Sequence, residues 1–512
     1  MAQNLKTISE TNFVLGYNDR DKPENLRTKS ADGVKVYMAD IKNGYVEENK
    51  IIKRTGFTHM GAVTTSKPVL GQNRFEISGG GKFILRAKDN SGSTNSVIEV
   101  YSGAAWTNLT GGTSQTAGLK HQFVTVNNAC YIFDGADVVL KTTDGATTST
   151  VAAIPIGTNA VWFHNYLFVY GVTGNKSTLY FSDVNTPETF DGTNGYININ
   201  PGDNDDLVGH ATLADNLLMF KKNMVWGLTG FGTTDFTLDD LFERSSGNGT
   251  MASGSRSATP DAVYYLSFQG DVPHFRKLVK SAYGNIVDGG IISSEITGTM
   301  RRLVTTQMSN CAGIYDGRKI RWSVCTSGTT NNEELVYDTI TGGWVRNTGI
   351  NASVYHISTL SGVEQVCFGS ATTSGKSHKF DGATSDDGTA IDFSVTTPMY
   401  APIPGHKCRF KYLYMTGDVS SAVDVTVDYS PDGFSFDNLG TLSLSGQGAV
   451  FGTAIFDTSK FGATTVARDR LDYAGGQAYY MQYKFSNSEL DEELSIREWE
   501  LFYQPKALRS IN

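Results

Sequence analysis

Leu179-Tyr180-Phe181-Ser182, Asn216-Leu217-Leu218-Met219-Phe220, Met224-Val225-Trp226-Gly227-Leu228-Thr229-Gly230 and Ala262-Val263-Tyr264-Tyr265-Leu266-Ser267-Phe268 are apolar runs of strand length, each closed by a turn. Leu217 to Phe220 is continuously apolar. Lys221-Lys222-Asn223 returns the chain directly into Met224-Val225-Trp226, which predicts a hairpin with both faces mostly buried. Ala262 to Phe268 is rich in aromatic and β-branched residues, and Gln269-Gly270-Asp271 supplies the turn after it. Between the first and second runs lies the acidic loop Asp203-Asn204-Asp205-Asp206. No stretch here has helical periodicity.

The same rhythm extends outward. An aromatic residue ends a strand, a small or acidic turn follows, and in several copies a later Trp or Phe completes the phrase. The copies are Tyr101-Ser102-Gly103 with Trp106, Phe133-Asp134-Gly135, Phe181-Ser182-Asp183 with Phe190, Tyr337-Asp338-Thr339 with Trp344, and Phe380-Asp381-Gly382. Their spacing fits units of about 40 residues, the length of a four-stranded propeller blade. Asp-Gly suits the rim turn, and an aromatic plate of about 150–250 Å² fills the wedge between blades. The chain is therefore expected to be all-β, a propeller of six or seven blades, irregular where Tyr315-Asp316-Gly317 breaks the period. An irregular sandwich array is the alternative. The propeller is placed at residues 61–397, ending at the proline-rich Thr397-Pro398-Met399-Tyr400-Ala401-Pro402-Ile403-Pro404. Beyond it, Val423 to Tyr429 and Ile496 to Tyr503 alternate with period two and predict a β-sandwich domain over 398–512. Residues 1–60 are polar and turn-rich and are expected to form an extended arm docking on a neighbouring subunit or adaptor.

Composition narrows function. Of 512 residues 55 are Gly and 12 Pro, as many tight hairpins require. The formal charge of −9 argues against broad nucleic-acid gripping, which needs clustered Lys and Arg, but allows DNA to slide past. Cys130, Cys311, Cys325, Cys367 and Cys408 are too scattered for a disulfide framework or zinc cluster and suggest folding in a reducing cytoplasm. Met1 to Lys6 opens no signal peptide, and no apolar run reaches membrane-spanning length.

The ordered series Leu179-Tyr180-Phe181-Ser182-Asp183, Ile199-Asn200-Pro201-Gly202-Asp203, Leu217 to Lys222, Trp226 to Gly230 and Val263 to Ser267 resembles the central signature of short-tailed phage tail-nozzle proteins, the packaged-DNA stabilisation and tail tubular protein B group. Arg54-Thr55-Gly56-Phe57 is similar to that group's Arg-Pro-Gly-Phe step, with Thr55 in place of Pro. The Tyr429-Ser430-Pro431-Asp432-Gly433 turn and the strand Ile496 to Tyr503 resemble its ending. The resemblance implies a structural virion protein of the phage tail, made in the host cytoplasm: a homo-hexameric nozzle ring extending the portal and head-tail adaptor channel. Tailspikes or tail fibres would dock outside, a tail needle or plug would close the end, and double-stranded DNA would be retained and then pass during ejection without specific binding. It implies no enzyme activity, cofactor or metal.

Other readings have their own residues. Ser430 to Phe436 resembles the Asp-box hairpin of sialidases, and Arg276, Arg301, Arg302 and Arg321 would have to converge for a propeller glycosidase or a carbohydrate-binding virion protein. Ser374-Gly375-Lys376-Ser377 lacks the upstream Gly and the strand-loop-helix setting of a phosphate loop. Asp203, Asp205 and Asp206 offer hard oxygen ligands without the calcium-loop pattern and are expected to be a solvated turn, a structural cation site or a channel-facing acidic rim.

Overall fold

A computed structural model describes residues 5–30, 33–112, 114–192, 195–241, 248–282, 284–445 and 466–506. The residues at the very start that bear on a signal peptide lie outside this set. Among the described residues, no helix is long and apolar enough to cross a membrane.

The apolar runs pair as expected. Asn216–Lys221 and Val225–Thr229 form a hairpin with Leu217 opposite Leu228, and Ala262–Gln269 turns through Gly270 to pair with Val272–Lys280. Each hairpin belongs to a four-stranded antiparallel meander. In chain order the blades run from Val69 to Asn108, Gln122 to Thr150, Asn159 to Asn198, Leu207 to Asp240, Ser257 to Ile291, Ala312 to Thr348, and Ala352 to Lys379. The first strands of neighbouring blades abut: Val69–Glu76 lies against Gln122–Val126 on one side and Ala352–Leu360 on the other, which closes the ring. The fold is a β-propeller. Six blades are separate sheets, and the meander from Ala312 to Thr348, sixth in chain order, is continuous with the C-terminal sheet.

Apolar clusters fill most spaces between blades, as expected of the aromatic phrase. Phe133 and Phe181 are buried in the clusters between the second and third and between the third and fourth blades. Tyr337 is buried beside Trp344, their rings 4.9 Å apart.

The first sixty residues are not an arm reaching away from the chain. Lys6–Glu10 pairs with Ser495–Pro505, Asp40–Lys42 inserts between Trp344–Thr348 and Phe393–Thr396, and Gly44–Glu47 and Lys50–Lys53 extend the sheet of Ser495–Pro505. Thr58–His59 then supplies the fourth strand of the last blade, pairing with Ser377–Lys379. These strands are short and their partners lie hundreds of residues away, so they carry no local periodicity. The backbone groups expected to meet a neighbour are spent within the chain.

The sandwich consequently draws on both chain ends. One sheet holds Val466–Leu471, Cys408–Asp418, Ser495–Pro505, Lys50–Lys53 and Gly44–Glu47; the other runs from the sixth blade through Asp40–Lys42, Phe393–Thr396, Gln482–Asn487, Val423–Ser430 and Asp437–Leu444. Phe393–Thr396 precedes the prolines, so the chain enters the sandwich sheet before residue 397. Trp499 anchors the core between the sheets, stacked on Phe13 at 4.7 Å and donating its indole N–H to Tyr400 Oη at 2.8 Å.

Candidate functional site

The acidic loop joins the third and fourth blades, where Asn200 and Asn204 adopt left-handed backbone around the turn Pro201–Asp203. Lys221 lies wholly buried at the end of the apolar strand, and a buried ammonium needs paired partners. It donates to both Asp203 oxygens, at 2.8 and 2.9 Å, to Asn200 O at 3.1 Å and to Ser177 Oγ at 3.2 Å. Asp205, itself buried, accepts the backbone N–H groups of Lys222 at 3.0 Å and Asn223 at 2.8 Å. Asp206 pairs with exposed Lys176 at 3.2 Å. The loop is therefore a strut for the Lys221-Lys222-Asn223 turn. Asp203 and Asp205 are not an open acidic rim; Asp206 alone of the three keeps an exposed carboxylate. The sequence signal was a lysine within an otherwise apolar hairpin. Among the described residues no group of three or more His, Cys, Asp or Glu side chains is placed to hold a metal.

The arginines do not form one carboxylate-binding cluster. Arg276 pairs with Asp288, and Arg301 is exposed on the short helix Thr297–Arg301. Arg302 and Arg346 meet on Glu333, at 3.2 and 3.1 Å. Arg321 takes Asp316 at 3.0 Å and Glu334 at 3.3 Å. The Asp-box stretch is a hairpin turn in the sandwich: Gly433 N donates to Ser430 Oγ and Phe434 N to Asp432 Oδ1. Gly375, in the stretch weighed as a phosphate loop, sits in a turn between two strands, and its carbonyl accepts from Lys88 at 3.1 Å.

Further buried charge lies where sandwich and propeller join. Arg54 is wholly buried and forks onto Asp386, with further bonds to Thr348 O at 2.9 Å and Asn43 Oδ1 at 3.1 Å. Gly56 follows, where a Cβ would lie 2.0 Å from Ser385 O, so only glycine lets the two backbones cross. Phe57 then enters the last blade, edge-on to Phe368 at 5.1 Å. The step resembling the nozzle group's Arg-Pro-Gly-Phe is thus the crossing from sandwich to propeller. Beside it Glu334, with no exposure, accepts from Tyr355 Oη at 2.8 Å and Asn347 Nδ2 at 2.7 Å. Burial, with Glu334 second, pushes the Tyr355 hydroxyl pKa far up and keeps it protonated. A cavity of about 460 Å³ opens at the same joint, lined by Lys50, Lys53, Arg54, Thr384, Asp418 and Arg497.

At one end of the sandwich the hairpin tip carries Phe434, 93 % exposed, while Tyr473, Tyr479 and Tyr480 are exposed on the segment between Val466–Leu471 and Gln482–Asn487. Gln482 pairs with Ser430, which sets the segment's end beside the foot of the hairpin turn. All five cysteines are buried free thiols.

No protein-family model matches the chain, and no curated protein does. Among solved structures it is similar to YCF48 from Cyanidioschyzon merolae, at 10% identity over 64% of this chain and 98% of that one, TM-score 0.39. It is similar to the Pan2 WD40 domain of Neurospora crassa, at 8% identity over 63% and 94%, TM-score 0.40. It is also similar to BamB from Moraxella catarrhalis, at 9% identity over 66% and 95%, TM-score 0.38. Likenesses at these levels bear on no function; the propeller rests on the sheet order and the ring of first strands described above.

Proposed function

We propose that this chain is a structural subunit of a short phage tail, the nozzle ring that extends the portal and adaptor channel, retains packaged DNA and passes it during ejection. The observation that carries the reading is the order of the signature from Leu179 to Ser267. Its pieces fall in order on three successive blades: the third strand of the third blade, the strut loop after it, the second and third strands of the fourth blade and the second strand of the fifth. The joint supports it, since buried ion pairs and shared strands bind sandwich to propeller as one load-bearing body. The exposed aromatics Phe434, Tyr473, Tyr479 and Tyr480 are side chains of the kind that subunit contacts cover. With an acidic balance of −9 per copy, a lumen built from six copies would repel rather than grip DNA. The adaptor, tailspikes or fibres, and a needle or plug are the proposed partners.

The test is assembly. Purified protein is mixed with capsids bearing or lacking the head-tail adaptor, and native mass and negative-stain images are recorded. A six-fold ring on adaptor-loaded capsids is the expected result. A stable monomer that ignores those capsids and cleaves surface polysaccharide would sink the reading in favour of a propeller glycosidase.

A further inference from the structure

We propose that the ring of blades is built to part at one place, the seam between the first blade and the last. This inference is independent of the function proposed above. Between the third and fourth blades twelve buried apolar residues interlock, whereas the cluster at the closing seam is Met60, Ile84, Trp106 and Cys367 among the described residues. Val69 packs over Gly369 at the same seam, and the remainder is rich in buried polar groups. Arg86, Lys88, Glu99 and Gln72 are each at most 3 % exposed. Arg86 Nε donates to Glu99 Oε2 at 2.6 Å, and its guanidinium lies 3.7 Å over the Trp106 ring. Lys88 Nζ, the second buried cation, donates to Thr65 O at 2.7 Å and Thr64 Oγ1 at 3.2 Å. Burial, then the nearness of Arg86, pushes the Lys88 pKa down to about 8.

The bonds that cross the seam are ones water can replace. Arg86 Nη1 donates to Ser377 Oγ at 3.0 Å, Ser377 Oγ to Gln72 Oε1 at 2.7 Å, Lys88 Nζ to Gly375 O at 3.1 Å, and Ser353 Oγ to Val69 O at 2.6 Å. Closure moreover leaves polar groups unmet: Gln72 Nε2 and both ring nitrogens of His356, one a donor and one an acceptor in the neutral ring, find no partner among the protein's own groups. Parting hydrates all of these, while parting an apolar seam exposes hydrocarbon. Two surface cavities, about 480 and 340 Å³, share Glu76 in their walls, and the larger also takes in Thr125 of the second blade. Thr58–His59 stays within the last blade, so the covalent link from Met60 to Pro68 would remain as a tether.

The chain carries its own probes. Cys367 lies in the closing seam and Cys130 in the next one, between the first and second blades; both are at most 1 % exposed, and burial pushes both thiols up to about 12. The full chain is treated with iodoacetamide under native conditions and alkylation is followed by mass spectrometry. Cys367 is expected to react at least tenfold faster than Cys130. Equal rates, or a faster Cys130, would overturn the proposal. The Ser377→Ala variant, which removes the bridge from Arg86 to Gln72, is expected to raise the Cys367 rate severalfold and leave Cys130 unchanged. A rise in both rates would mean that only global unfolding is being read, and would equally overturn it.

Discussion

The seam between the third and fourth blades and the seam that closes the ring solve one packing problem with different chemistry. In the first, Phe168, Phe181, Leu217, Met219 and Leu228 interlock, with the Tyr170–His210 contact and the bond from buried Lys221 to Ser177 beside them. In the second, Arg86, Lys88 and Glu99 occupy the equivalent space, and hydrogen bonds do the joining. Apolar burial yields stability in proportion to area and tolerates no gap, whereas a buried ion pair roughly balances its own desolvation and is costly only when half of it is removed. The ring's strength is therefore uneven around its circumference, with the weakest contact where the chain's two ends of the propeller meet.

That contrast can be broken or sharpened by substitution. Phe168→Ala should cost about 3–5 kcal/mol, because the rigid seam cannot collapse around the space left behind; denaturant midpoints measure it, and a loss below ~1 kcal/mol would make this seam no tighter than the other. Glu99→Ala should cost about 3 kcal/mol by stranding Arg86, yet the double variant Arg86→Met/Glu99→Leu should be close to neutral or stabilising. A double variant as damaged as the single would mean the ion pair holds the seam shut.

Acid gives a third handle. Burial, and secondarily Arg74, holds the His356 pKa down to about 3, against about 6.5 in an unfolded chain. A depressed histidine contributes stability that is complete above about pH 6.5 and is lost as pH falls towards 3. His356 alone should account for a drop of about 2 kcal/mol between pH 7.5 and pH 5, with the depressed His210 and His378 adding to it, and His356→Leu should make that part of the profile shallower. Thermal unfolding across pH reads both. At the small end, Tyr170→Phe removes the 2.8 Å contact with His210 at the third–fourth seam and should cost about 1 kcal/mol. Asp206→Asn, which breaks an exposed pair, should stay within about 0.5 kcal/mol.

Much of the propeller was legible because its blades are built locally. The aromatic phrase marks the end of the third strand at Tyr101 and Tyr337 and the residue just beyond it at Phe380, while Phe181 closes the third strand of its own blade. Phe133 instead ends a second strand and Tyr315 a first, which is why the period drifted. The weave of residues 6–59 was illegible for the opposite reason: Ile51 and Ile52 show no pattern until Ser495 and Ile496 lie beside them. The closing seam was hidden for a third reason. Ile84, Arg86 and Lys88 alternate with Phe83, Leu85 and Ala87 as a solvent-facing strand would, but the far blade covers the charged face. In the acidic loop the spacing of carboxylates suggested ligands, and the lysine that claims Asp203 lay 18 residues downstream.

Lys6–Glu10 waits for Ser495–Pro505, so this strand can pair only after the whole propeller has been made. A nascent chain can complete most blades as they emerge but must hold Lys6–Glu10 unpaired until Ser495–Pro505 follows, and such distant pairing is slow. Quality control is thereby coupled to length: a product that stops before Ser495 should leave Lys6–Glu10 open to protease, and limited proteolysis of such a truncation would reveal a strand that had found another partner.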